Sequence, residues 1–206
     1  MKFKSFLIAA LLSVGFGSQA SAYEYETVKG DPMQTRIYTL PNGLKVYLSV
    51  NKEQPRIQTY VAVRTGSRND PAETTGLAHY LEHLMFKGTR LFGTTDAVKE
   101  QPYLDDIERR YEHYRTVTDP EKRQQLYHEI DSVSQIAAQY FIPNEYDKLM
   151  AAIGANGTNA YTSNDVTCYV ENIPSNEVDN WARIQADRFQ NMVIRGFHTE
   201  LDRTAL

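Results

Sequence analysis

The sequence predicts an α+β domain in which a mixed or antiparallel sheet packs against helices. Three observations carry that prediction. Residues 35–40, 44–50 and 57–64 alternate or are rich in β-branched and aromatic residues, and read as strands. A long stretch, 96–153, is helical in character, and strand character returns at 159–172 before a last clear helix. Strands in a run followed by helices suit an α+β fold, not the strict alternation of parallel α/β folds. The 206 residues, 41% hydrophobic and 23% charged, suit one globular domain or slightly more. A net charge of −4 lacks the basic face that broad nucleic-acid affinity requires, so no nucleic-acid partner is expected.

Each element has a local reason. Met1–Ala22 reads as a secretory signal peptide: Lys2 and Lys4 lead, Phe6–Phe16 is a short apolar run, and Ala20-Ser21-Ala22 is a small-residue cleavage pattern. The run is too short for a comfortable span, so the expectation is a mature chain from Tyr23, secreted or periplasmic, with no stable membrane anchor. Tyr23–Gln34 is polar and reads as a lead-in arm. Pro41-Asn42-Gly43 is a hairpin turn, since Asn-Gly favours the positive φ angles of tight turns. A helix is expected from near Gly76. Asp119-Pro120 starts another, with Leu126, Ile130, Val133, Ile136 and Ala137 at helical spacing. Pro143-Asn-Glu-Tyr starts a third, which Gly154 can close as a left-handed cap. Residues 159–172 read as one strand. Ser175 is expected to cap a helix through about Gln190, with Trp181, Ile184 and Phe189 on its apolar side.

The chemistry lies in Gly76-Leu-Ala-His-Tyr-Leu-Glu-His-Leu-Met-Phe-Lys-Gly-Thr89. His79 and His83 are four apart, so on a helix they share a face one turn apart. Two imidazoles so placed can bind one tetrahedral zinc ion. Glu82 points toward the same face and can act as general base on a zinc-bound water. Leu77, Leu81, Leu84 and Met85 are expected to bury the helix. The single cysteine, Cys168, excludes an internal disulfide and a cysteine-based metal cluster, so histidines and carboxylates must hold any metal. His113 and His128 sit in charged helices and read as solvated. His198 reads as a surface or packing residue.

His79-Tyr-Leu-Glu-His83 is the inverted zinc motif, and its surroundings resemble the pitrilysin/insulinase family of peptidases. Leu40-Pro-Asn-Gly-Leu-Lys-Val46 is similar to that family's first hairpin, and Asn159-Ala-Tyr-Thr-Ser163 to its second signature. The resemblance covers most of residues 23–206. The long helical stretch looks like the bacterial secreted branch. It implies a zinc endopeptidase acting on extended or unfolded peptide, with His79 and His83 as zinc ligands and Glu82 as general base. It also implies that Asn159 and Ala160 lie on an edge strand that pairs with substrate. The family's third ligand is a downstream glutamate. It is expected beyond Leu206, with Glu200 a weak candidate inside the chain. Family members carry a homologous second half or subunit, so the chain resembles an incomplete amino-terminal peptidase domain. The competing expectation is a non-catalytic or truncated homologue that binds peptide or a partner chain.

Overall fold

Two strands joined by Pro41-Asn42-Gly43 open the architecture: β2 (Arg36–Thr39) pairs antiparallel with β3 (Lys45–Leu48). The computed structural model describes residues 23–196, which fall into two units divided between Gln54 and Pro55. The turn differs in detail from a two-residue Asn-Gly hairpin. Gly43 alone of the three takes a positive φ (86°), and the Leu40 N–H donates to the Leu44 carbonyl at 2.9 Å to close the turn. Pro41 holds the first corner, and the Asn42 side chain accepts from the Leu44 N–H at 3.1 Å. The polar lead-in is not a free arm. Glu26–Thr27 form β1, which extends this sheet to the order β1-β2-β3. Asp31 turns the chain back by accepting from the Met33 and Thr35 N–H groups.

The second unit is built on an antiparallel sheet of order β4-β6-β5: β4 (Arg56–Val63), β5 (Asn156–Thr162) and β6 (Thr167–Pro174). The expected single strand over 159–172 is therefore a hairpin. Residues 163–166 turn it, with the Ser163 N–H donating to the Val166 carbonyl at 2.8 Å. Ser163-Asn164-Asp165 is a run of turn formers, a signal that the single-strand expectation passes over. Among the described residues five α-helices pack in this unit: α1 (Leu77–Leu84), α2 (Ala97–Thr116), α3 (Pro120–Ala137), α4 (Glu145–Ala152) and α5 (Val178–Asn191). Asp96 and Asp119 cap α2 and α3 by accepting from the N–H groups of Lys99 and Lys122. Gly154, at φ 75°, closes α4 as expected. Ser175 is not a cap. It opens a short 3₁₀ turn and its N–H donates to the Pro55 carbonyl, so α5 starts three residues later.

The core is where α4, α5 and the sheet meet: Phe92, Tyr146, Met150 and Ile173 are buried, with Ile57, Leu149, Trp181 and Ile184 against them. Two apolar positions fall outside the expected faces. Ile136 and Phe189 are exposed, and α5 turns Gln185 and Arg188 inward instead. Buried Glu171 draws them in. It accepts from Tyr146 Oη at 2.6 Å, Trp181 Nε1 at 3.2 Å and Gln185 Nε2 at 3.3 Å. Buried charge persists only when partnered. A second buried pair, Arg195 with Glu100 (2.7 and 2.9 Å), ties the segment after α5 to α2, while Arg195 also donates to the Thr89 carbonyl. Among the described residues no helix is long and apolar enough to cross a membrane.

Candidate metal centre

Helix α1 has eight residues, about 12 Å at 1.5 Å per residue, and so short a helix is not stable alone. Its neighbours hold it at both ends. Gly76, at φ 92°, offers no capping side chain. Asp70 supplies the cap from upstream, its carboxylate accepting from the Gly76 N–H (2.8 Å) and the Ala78 N–H (2.9 Å). The loop carrying Asp70 is in turn stitched to the β5–β6 turn. The N–H groups of Ser67 and Arg68 donate to the carbonyls of Ser163 and Asn164, both at 2.9 Å. At the far end, Arg188 Nε donates to the Met85 carbonyl at 3.0 Å. The guanidinium lies among the rings of Tyr146, Tyr169, Phe86 and Phe189, 4.3 to 5.7 Å from their centroids.

These contacts set which face of α1 is buried. Ala78, Tyr80, Glu82, Leu84 and Met85 turn inward, while Leu77 and Leu81 remain 40% and 41% exposed, contrary to the expectation that both are buried. They sit one position before Ala78 and Glu82, about 100° around the helix from the face that packs toward β5 and β6.

His79 is exposed and His83 half-buried. Their Nε2 atoms are 3.1 Å apart, with the rings 4.7 Å apart at 73°. Two nitrogens bound tetrahedrally at 2.0–2.1 Å would stand about 3.3 Å apart, so the pair fits one zinc ion with little movement. Glu82 is only 7% exposed, and one ligand atom from each of the three side chains lies within 4.8 Å of the others. Among the described residues, this is the group whose donors could hold a metal. Glu82 Oε2 accepts from Thr162 Oγ1 at 2.5 Å. Burial, with the neighbouring Glu82 charge, pushes the Tyr169 phenol up to about 12 against the opposing pull of Arg188.

Thr162 ends β5, an edge strand of its sheet. Asn159 and Ala160 stand on it opposite Val170 and Tyr169, just after a bulge at residues 157–158. By strand alternation Ala160 shares the face of Thr162, and Asn159 takes the other. His113 and His128 are exposed. Glu200 and His198 lie outside the described residues. A groove of about 670 Å³ at the α2–α3 turn, lined by Tyr114, Arg123, Tyr127 and His128 among others, contains no residue of the His–Glu group. Sequence reasoning passes over Asp70, Thr162 and Arg188. Of these only Thr162 carries a signal, two residues after Ala160 in the Asn-Ala-Tyr-Thr stretch.

Residues 45–101 match the model of the insulinase family, peptidase family M16. That stretch is an insulinase-family segment. It holds His79, Glu82 and His83, and runs from β3 into α2. The chain is 46% identical over 74 residues to a probable mitochondrial-processing peptidase subunit beta of Arabidopsis thaliana. It is 40% identical over 52 residues to an uncharacterized zinc protease of Bacillus subtilis. These matches cover 36% and 25% of this chain and 13% of each relative. Pitrilysin superposes with a TM-score of 0.53 at 17% identity, covering 89% of this chain and 15% of that one. The first half of the periplasmic protease PqqL from Escherichia coli gives 0.50 at 17% identity, covering 82% and 27%. At such identities the likeness is one of fold, and the chain spans under a third of each of these structures.

Proposed function

We propose that this chain carries the zinc-holding half-site of a metalloendopeptidase that cleaves extended peptide, outside the cytoplasm. His79 and His83 would hold the metal through Nε2. When bound, zinc supplies a Lewis acid that makes water deprotonation feasible near neutral pH. The chain's own residues do the rest. Glu82 accepts the proton of the attacking water at its carboxylate and returns it to the leaving amine nitrogen as the C–N bond breaks. The β5 edge at Asn159 and Ala160 pairs with the peptide backbone by strand addition, which gives affinity with modest sequence selectivity. A third protein ligand and a closing second half or subunit belong to this reading as further contributions.

The observation that carries it is the 3.1 Å separation of the two Nε2 atoms beside a buried carboxylate. The family segment over 45–101 and a relative named as a zinc protease support the chemistry. The leader expected at 1–22 and the fold shared with a periplasmic protease support the location.

The test pairs two variants. Zinc content should fall in His83→Ala. Glu82→Gln should keep zinc and lose 10²- to 10⁴-fold in hydrolysis of a quenched fluorescent peptide, the usual loss for a general base. Equal zinc in His83→Ala and wild type, or wild-type turnover in Glu82→Gln, would refute the assignment.

A further inference from the structure

We infer that Thr162 is the residue that positions Glu82, fastening the base to the peptide-pairing strand through one hydroxyl. The inference rests on the reading of Glu82 as general base. Thr162 Oγ1 approaches Glu82 Oε2 at 2.5 Å and Thr167 Oγ1 at 3.3 Å. A hydroxyl has a single proton to give. Thr167 gives its own to the Thr65 carbonyl at 2.9 Å, so it is itself satisfied as a donor. The Thr162 proton therefore goes to the carboxylate, the charged and closer acceptor, and forms a charge-assisted bond.

Two consequences follow from that assignment. Glu82 is nearly buried, and a buried carboxylate free to change rotamer would present its oxygens to the reacting proton only part of the time. Thr162 engages Oε2 and leaves Oε1 for the proton in transit. Thr162 also belongs to β5, on the same face as Ala160, about 7 Å along the strand at 3.3 Å per residue. A peptide pairing with the edge and the base that acts on it are thus referenced to one element. The Thr162/Thr167 register and the Thr167 bond to Thr65 fix that element against the start of the loop leading to α1.

The variants are Thr162→Val, which keeps the shape and removes the proton, and Thr162→Ser, which restores it. Two measurements are made on the zinc-loaded chain: the Glu82 side-chain ³J couplings by NMR, and kcat and KM for a quenched fluorescent peptide. Wild type and Thr162→Ser should show one Glu82 rotamer and Thr162→Val an averaged set. Zinc content should be equal in all three. kcat should fall 10- to 100-fold in Thr162→Val with KM held, the usual range for residues that orient a site from behind, and recover in Thr162→Ser. A single unchanged rotamer in Thr162→Val overturns the inference, and because it needs no turnover it decides the matter for a chain of any activity. Unchanged kcat in Thr162→Val, with Glu82→Gln inactive, also overturns it while leaving the peptidase reading intact. Wild-type turnover in Glu82→Gln would remove that reading instead.

Discussion

Removing the Asp70 carboxylate should loosen the helix that carries both histidines. Asp70→Ala takes away two acceptors, those of the Gly76 N–H and the Ala78 N–H. The two losses are unequal. Gly76 is exposed and water can replace its partner, whereas Ala78 is 5% exposed and its N–H stays orphaned. Losing a side-chain cap typically costs 0.5–2 kcal/mol, and the buried member places this case at about 1–2 kcal/mol. For a unit of this size that lowers the melting midpoint by about 2–8 °C. Asp70→Asn keeps one strong acceptor and should recover about half. The assay is thermal denaturation by circular dichroism, with hydrogen exchange of the Ala78 and Tyr80 amides as the local probe. Zinc affinity should fall with the melting point, since a frayed first turn no longer holds His79 over His83. A melting midpoint within about 1 °C of wild type, with Ala78 protection unchanged, would refute the claim that Asp70 caps α1.

Gly66→Ala should destabilise by about 2–4 kcal/mol in urea denaturation, by overpacking and lost hydrogen bonds. Its Cβ would fall 2.2 Å from the Ser163 carbonyl oxygen, and a wild-type midpoint would remove the steric argument. The backbone at Gly66 is extended (φ −149°), so contact and not conformation is responsible. Stability should also decline from pH 10 to 12. The unfolded Tyr169 phenol ionises near 10 while the folded one holds its proton to about 12, so the unfolded state releases protons first as pH rises. Tyr169→Phe should lessen that decline, to which burial of the Tyr111 and Tyr146 phenols also contributes, and an identical slope would exclude Tyr169 as a source.

What the sequence reveals follows from the range of the interaction involved. His79 over His83 is legible because four residues of one helix decide it. The α3 start at Asp119-Pro120 and the α4 stop at Gly154 are legible for the same reason. The β5–β6 break is local too, written in the turn formers Ser163-Asn164-Asp165 that the single-strand reading passes over, and the Ser163 hydroxyl and backbone hold it against Val166. Two-residue β1 is too short to alternate. Leu77 and Leu81 look like core because the α1 stripe is apolar over more than one face, and only the packing toward β5 and β6 selects among them. Arg188 looks like a surface residue in every hydrophobicity scale. It is buried because Met85, Glu171 and four aromatic rings, from four separate parts of the chain, converge on it.

Those non-local residues bear on how the centre is built. A helix of eight residues has four free N–H groups and four free carbonyls, so nearly all of its backbone polarity is at an end. Here an anion, Asp70, sits at the positive end and a cation, Arg188, at the negative end, each matching the helix dipole. Each is supplied by an element distant from α1: Asp70 by a loop stitched to the β5–β6 turn, Arg188 by α5 wedged against β6. Glu82, in the middle, is tied to β5 by Thr162. All three ties lead back to β5, β6 or the turn between them. The geometry of the two histidines therefore depends on the integrity of that hairpin. Damage to the hairpin should register as lost metal affinity as well as lost peptide pairing.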